Sequence, residues 1–184
     1  MAMKTIKKKL SGQNGIDFAP TDEPDLDKYL RQTAYWVGYF IFEFNEFEHT
    51  VTEILSLHIG GGDQTVYQHI FLTGLNFNQK VELLERIYSH EITFLVEKSS
   101  QENVKKKCKE IIAELKNIGG IRNNIVHANY YSLDKNGYVR EKTKFSDSDA
   151  IEKWVSITRD FLVENINRII DFSERLDDFD LEFH

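Results

Sequence analysis

From Leu26 onward the chain places apolar side chains three or four positions apart: Leu26, Leu30, Ala34, Val37, Ile41, Phe44, Val51 and Leu55, with His58 closing the series and Glu48 filling its one gap. That recurrence predicts one long amphipathic helix, and Asp25 is placed to cap its start. Tyr35, Trp36, Tyr39, Phe40, Phe42 and Phe47 fall on its other faces. A helix apolar most of the way round is central to its fold or shared with a partner chain. "GGGD" (60–63) ends it; no Gly-Lys-Ser/Thr follows, so this is a stop and turn, not a phosphate loop. Short and longer helices are predicted around 66–72 and from 78 to about 97. "SSQEN" then reads as a loop and a new start, after which Val104, Cys108, Ile111, Leu115, Ile118 and Arg122 keep helical spacing.

Beyond residue 127 the pattern changes. "YYSLDKNGYVREKTKF" sets Asn136-Gly137 between segments rich in Tyr, Val, Thr and Phe, which predicts a β-hairpin over about 129–145. Ser146 or Asp147 then caps a last helix running through Trp154, Phe161, Ile169 and Phe172 to about Leu176. With no internal repeat and no βαβ alternation, the predicted fold class is all-α, a helical bundle with a small hairpin insert. Residues 1–24 hold both prolines, Pro20 and Pro24, and the acidic "TDEPD". They read as an N-terminal arm to a single domain over 25–184.

At 184 residues the chain can bury one substantial core without staples. Its single cysteine, Cys108, rules out an internal disulfide and reads as a small packed hydrophobe. No apolar leader follows the basic start and no window reaches the length of a membrane span, so a cytoplasmic protein without membrane attachment is expected. A net charge of −7 argues against a surface that coats nucleic acid broadly, while leaving room for a small basic site. The runs Lys7-Lys8-Lys9 and Lys105-Lys106-Lys107 read first as solvated faces, and the acidic tail "ERLDDFDLEFH" as solubilising. His49, His58, His69 and His90 lack paired ligand spacing, so neither metal nor cofactor is expected.

Two charges interrupt apolar seams: Glu48 on the first helix and Arg122 on the later one. Either would be costly to bury alone. The economical reading is a polar cleft in which Arg122 pairs with Glu48, or reaches Asn45 or His49 one turn away. His127, five positions on, would lie about 140° round a continuous helix from Arg122, which favours a helix end within 122–127, where Asn123 and Asn124 readily leave helical geometry. Gly119-Gly120 fit either a close approach of a second backbone or the start of unravelling.

"RNNIVH", Arg122 to His127, resembles the R-x4-6-H motif of the HEPN superfamily, near the end of a late helix in an all-helical domain. The resemblance covers about residues 25–180. It implies a HEPN-like bundle and a homodimeric, metal-independent endoribonuclease with Arg122 and His127 catalytic, of the kind found in phage defence, toxin–antitoxin pairs and RNA processing. Histidine can shuttle the 2′-hydroxyl and 5′-oxygen protons, and arginine can hold the phosphate. Asn123 would orient the motif, with Glu48 and Asn45 supporting Arg122. RNA contacts would fall to Tyr130, Lys105 and Lys106, and an antitoxin or defence protein would be a partner. In the nucleotidyltransferase-paired toxin branch a tyrosine stands two residues after the histidine; here that place holds Asn129 and the tyrosine is Tyr130, which favours a packed or base-stacking role. The alternative is a non-catalytic HEPN-like dimerisation or nucleotide-binding scaffold that keeps the pair for structural reasons.

Overall fold

The long apolar series folds as helix α1, Leu26–Gly60, in a computed structural model that describes residues 4–10, 26–60, 68–94, 98–130, 138–145 and 150–183. A π-helical turn at Gln68–Leu72 precedes α2, Phe77–Glu91, and a 3-10 turn at Ile92–Phe94. Helix α3 spans Lys98–Val126; strands β2, Tyr138–Phe145, and β3, Ala150–Ser156, follow, then α4, Arg159–Asp180, and a final 3-10 turn. The fold is mostly helical, as the apolar spacing predicts. To the helices it adds a three-stranded sheet of order β1-β3-β2, in which β1 is Thr5–Leu10.

Four elements depart from the sequence reading. Thr5–Leu10, read as part of an arm, pairs antiparallel with β3. Trp154, expected in the last helix, lies in β3, where Ile, Trp and Val suit a pleated surface and pairing on both sides overrides a helical start. That helix begins instead after Thr158, whose Oγ1 accepts the Phe161 N–H at 3.2 Å in an N-cap bond, and it continues past Leu176 to Asp180. "SSQEN" lies inside α3 rather than before it. The predicted turn at Asn136-Gly137 lies outside the described residues; the pairing observed is β2 with β3, with a register irregularity between Arg140 and Lys142. Asn76 starts α2 with a reciprocal capping box: its Oδ1 accepts the Gln79 N–H at 3.1 Å, and Gln79 Oε1 accepts the Asn76 N–H at 2.9 Å.

The chain divides into two compact units. One comprises Met1–Phe42 and Asn123–Asn167. It holds the sheet and buries Phe40, Ile125, Val139, Val155, Phe161 and Leu162. The other comprises Glu43–Arg122 and Arg168–His184, with a helical core of Phe44, Phe47, Val51, Leu55, Val81, Leu84, Tyr88, Leu115, Ile118, Phe172 and Leu176. Here the Phe77 ring sits 5.0 Å from Phe44, and Phe47 sits 5.9 Å from Phe172.

Gly119 and Gly120 separate cleanly. A Cβ at Gly119 would stand 2.8 Å from Phe77 Cδ1, whereas one at Gly120 would meet nothing within 4 Å. The close approach at Gly119 is therefore made by an aromatic ring. Gly119→Ala is expected to lower the melting temperature, because overpacking at about 1–3 kcal/mol outweighs the helix-propensity gain of about 1 kcal/mol. Gly120→Ala, which takes only the gain, is expected to raise it. Thermal melts of the two variants test the opposite signs.

Candidate functional site

The stretch from Arg122 to His127 closes α3. The helix runs unbroken to Val126, and His127 still donates its backbone N–H to the Asn123 carbonyl at 3.0 Å, so the end falls at the last residue of the motif. Arg122, half-buried, lies with Cζ 5.5 Å from the centroid of the Phe44 ring, a cation–π contact. His127 is exposed, and Asn123 and Asn124 are half-buried. The boundary between the two compact units falls inside the motif, after Arg122.

Tyr130 finishes the helix. Its hydroxyl donates to the Ile125 carbonyl at 2.9 Å, satisfying an oxygen that the last turn leaves without an intrahelical donor. Burial pushes its phenol pKa above the ordinary tyrosine value. The hydroxyl is engaged by the helix end.

Glu48 departs from the seam reading. Its Oε1 accepts from Lys80 Nζ at 2.7 Å, with the lysine side chain 9 % exposed. Lys80 of α2 is thus a partner of Glu48 that the sequence reading does not name. Lys80 stands beside Val81 in a stripe with Phe77 and Leu84, where a lysine reads as a solvated edge; the pairing carboxylate comes from another helix and leaves no local signature. Asn45, one turn before Glu48, is exposed. Lys105 and Lys106 are exposed on α3, about 25 Å along the helix axis from Arg122 at 1.5 Å per residue. They are not gathered with the motif.

A second polar constellation was not legible as a site. Asp180 Oδ1, at the end of α4, accepts hydrogen bonds from the Tyr88 hydroxyl at 2.9 Å and from His58 Nε2 at 2.8 Å. The His58 and Asp180 side chains are 4 % and 7 % exposed. Phe183 stacks on Tyr88 at 5.0 Å and Phe179 meets it edge-on at 5.2 Å. The tail read as merely solubilising therefore supplies buried Phe179 and Asp180, while its Glu182 bonds Lys107. Among the described residues no group of three or more His, Cys, Asp or Glu is placed to hold a metal ion, and no helix is long and apolar enough to cross a membrane.

Next to this network the Asp177 carboxyl has its pKa raised, first by partial burial and then by Asp180, Glu53 and Asp178. A carboxyl whose pKa is higher in the folded than in the unfolded chain makes the fold less stable as pH rises through that interval. Asp177→Asn is therefore expected to raise the melting temperature at pH 7, with the advantage closing near pH 3, where the wild-type carboxyl is protonated in both states. Melts across that range test it.

No family model, curated protein or solved structure matches the chain.

Proposed function

We propose that the chain is a metal-independent endoribonuclease of the HEPN type, cleaving RNA by attack of a ribose 2′-hydroxyl on the adjacent phosphate. The observation that carries this reading is the Arg122-to-His127 motif at the C-terminal end of α3, with an exposed imidazole at its last position. His127 takes the 2′-hydroxyl proton or delivers one to the leaving 5′-oxygen, and Arg122 holds the phosphate and the charge that develops on its oxygens. Phe44 holds the guanidinium, and Asn123 anchors the helix end through its carbonyl.

A homodimer accords with Tyr35, Tyr39 and Phe42, which are 67 %, 40 % and 59 % exposed and recur at helical spacing on α1. This is an apolar stripe of the kind that marks an interface. Two copies would bring two motifs and hence both an acid and a base. An antitoxin or partner defence protein belongs to the same reading.

One observation favours the scaffold alternative: Arg122 packs on Phe44, as a structural arginine would. The two are separated by incubating single-stranded and structured RNA with wild type, Arg122→Ala and His127→Ala in excess chelator. Cleavage by wild type alone, yielding 2′,3′-cyclic phosphate ends, supports the nuclease. Inactivity of all three, with Arg122→Ala less stable, supports the scaffold.

A further inference from the structure

Within α1, Lys28, Tyr35, Tyr39, Phe42 and Glu46 follow one another at intervals of seven, four, three and four residues, and so line one face of the helix. All five are exposed, while Phe40, Phe44 and Phe47, on the sides turned away, are buried. The exposed face is thus aromatic in the middle, cationic at one end and anionic at the other. Lys28 and Glu46 each stand nine residues from Val37, about 13 Å along the axis at 1.5 Å per residue, and Tyr35 and Tyr39 each stand two residues from it. Turned end for end, the face meets its own opposite charge at each end. That symmetry selects the occupant. A phosphate backbone would meet Glu46 as a like charge, and a second copy laid parallel would set Lys28 on Lys28 and Glu46 on Glu46. Laid antiparallel about a two-fold axis level with Val37, a second copy sets Lys28 against Glu46 twice and Tyr35 against Tyr39 twice. Gly38, exposed on the flank of this seam, adds no side chain to hold the second helix off, and a Cβ there would meet nothing within 4 Å.

We infer that α1 pairs antiparallel with α1 of a second copy of this chain, the two helices meeting level with Val37. The pairing deepens the homodimer of the proposed function and rests on that part of the reading alone; neither Arg122 nor His127 enters it. The seam runs about 27 Å from Lys28 to Glu46. Its aromatic centre supplies the affinity, because exposed ion pairs contribute little. The end charges set the direction, favouring the antiparallel arrangement and penalising the parallel one.

The test is sedimentation velocity of the full-length protein over about 1 μM to 1 mM. Wild type is expected to pass from monomer to dimer as concentration rises. Lys28→Glu and Glu46→Lys, each of which sets like charge on like at both ends of the seam, are expected to weaken the dimer about tenfold. Both substitutions on one chain restore it, and the two single variants mixed in equal amounts dimerise better than either alone. Tyr35→Glu, which places a charge in the aromatic centre, is expected to weaken the dimer by about a hundredfold or more. Should that variant fail to fold, the charge swaps at the two exposed end positions decide. A wild type that stays monomeric throughout overturns the inference, as does a dimer whose affinity the swaps and Tyr35→Glu leave unchanged. A monomer that binds single-stranded RNA and loses it on Tyr35→Glu gives the face to RNA and overturns it too. The expected dimer pattern in a protein that cuts no RNA leaves the seam standing and removes the nuclease reading. RNA cleavage by a dimer indifferent to the swaps does the reverse.

Discussion

Asp180→Ala is expected to cost the fold about 2–6 kcal/mol, the loss of one buried acceptor oxygen that two donors share. The loss is this large because one oxygen serves two buried donors, the Tyr88 hydroxyl and His58 Nε2. Alanine would strand both, at about 1–3 kcal/mol each. Phe179 and Phe183 pack about Tyr88 and bring no acceptor to replace the carboxylate. Tyr88→Phe keeps the ring and its stacking and gives up one donor, so a smaller loss of about 1.5–3 kcal/mol is expected for a hydrogen bond to a charged group. Urea unfolding of the two variants measures both. A loss below about 1 kcal/mol for Asp180→Ala would show that the network contributes little.

The same site sets an alkaline limit. Burial first, then the charge and hydrogen bond of Asp180, push the Tyr88 phenol pKa far above the ordinary tyrosine value. A group whose pKa is higher in the folded chain contributes stability that is complete below the unfolded pKa, about 10 for tyrosine, and is lost as pH rises above it. Wild type should therefore lose stability steeply above pH 10, and Tyr88→Phe less steeply. Tyr130, raised by burial in the same direction, retains its own share in both proteins.

How far this was readable from the sequence varies from element to element. The α1 spacing identifies the buried positions Phe44, Val51 and Leu55 correctly, but Ala34 on the same series is exposed. The periodicity records that a stripe exists, not where along a 35-residue helix burial begins. At the other end, Leu176 is followed by Phe179 and Asp180 at three and four residues. The series continued into the tail, and the surrounding acids hid it. Lys80 and Glu48 defeated the reading for a different reason: a charge is buried only when its partner arrives from another helix, and sequence spacing carries no record of that. β3 shows the same limit, since its conformation is settled by neighbours on both sides. Of the candidate site, the residue types and the nearby helix end were legible in "RNNIVH", whereas the seat of Arg122 on Phe44 and the capping hydroxyl of Tyr130 needed tertiary structure.

His127→Ala is expected to lower the rate of RNA cleavage by about 10²–10⁴, the usual contribution of a positioned acid or base, while leaving the melting temperature nearly unchanged. The second half follows from the exposure of the side chain: substitutions at such positions stay within about 0.5 kcal/mol. Arg122→Ala is the less decisive variant, because it also removes the contact with Phe44, worth about 0.5–2 kcal/mol. A rate lost there mixes chemistry with packing. Arg122→Lys keeps the charge but not the fork that grips two phosphate oxygens, so a reduced rate with stability largely retained would point to phosphate recognition. The nucleophile can be tested separately. RNA carrying a single 2′-deoxy sugar at the preferred cleavage position should resist wild type there, because the attacking oxygen is gone. If that substrate is cut as fast as its all-ribose parent, or if His127→Ala retains the full rate, His127 has no proton to move and the exposed imidazole is a surface residue at the end of a helix.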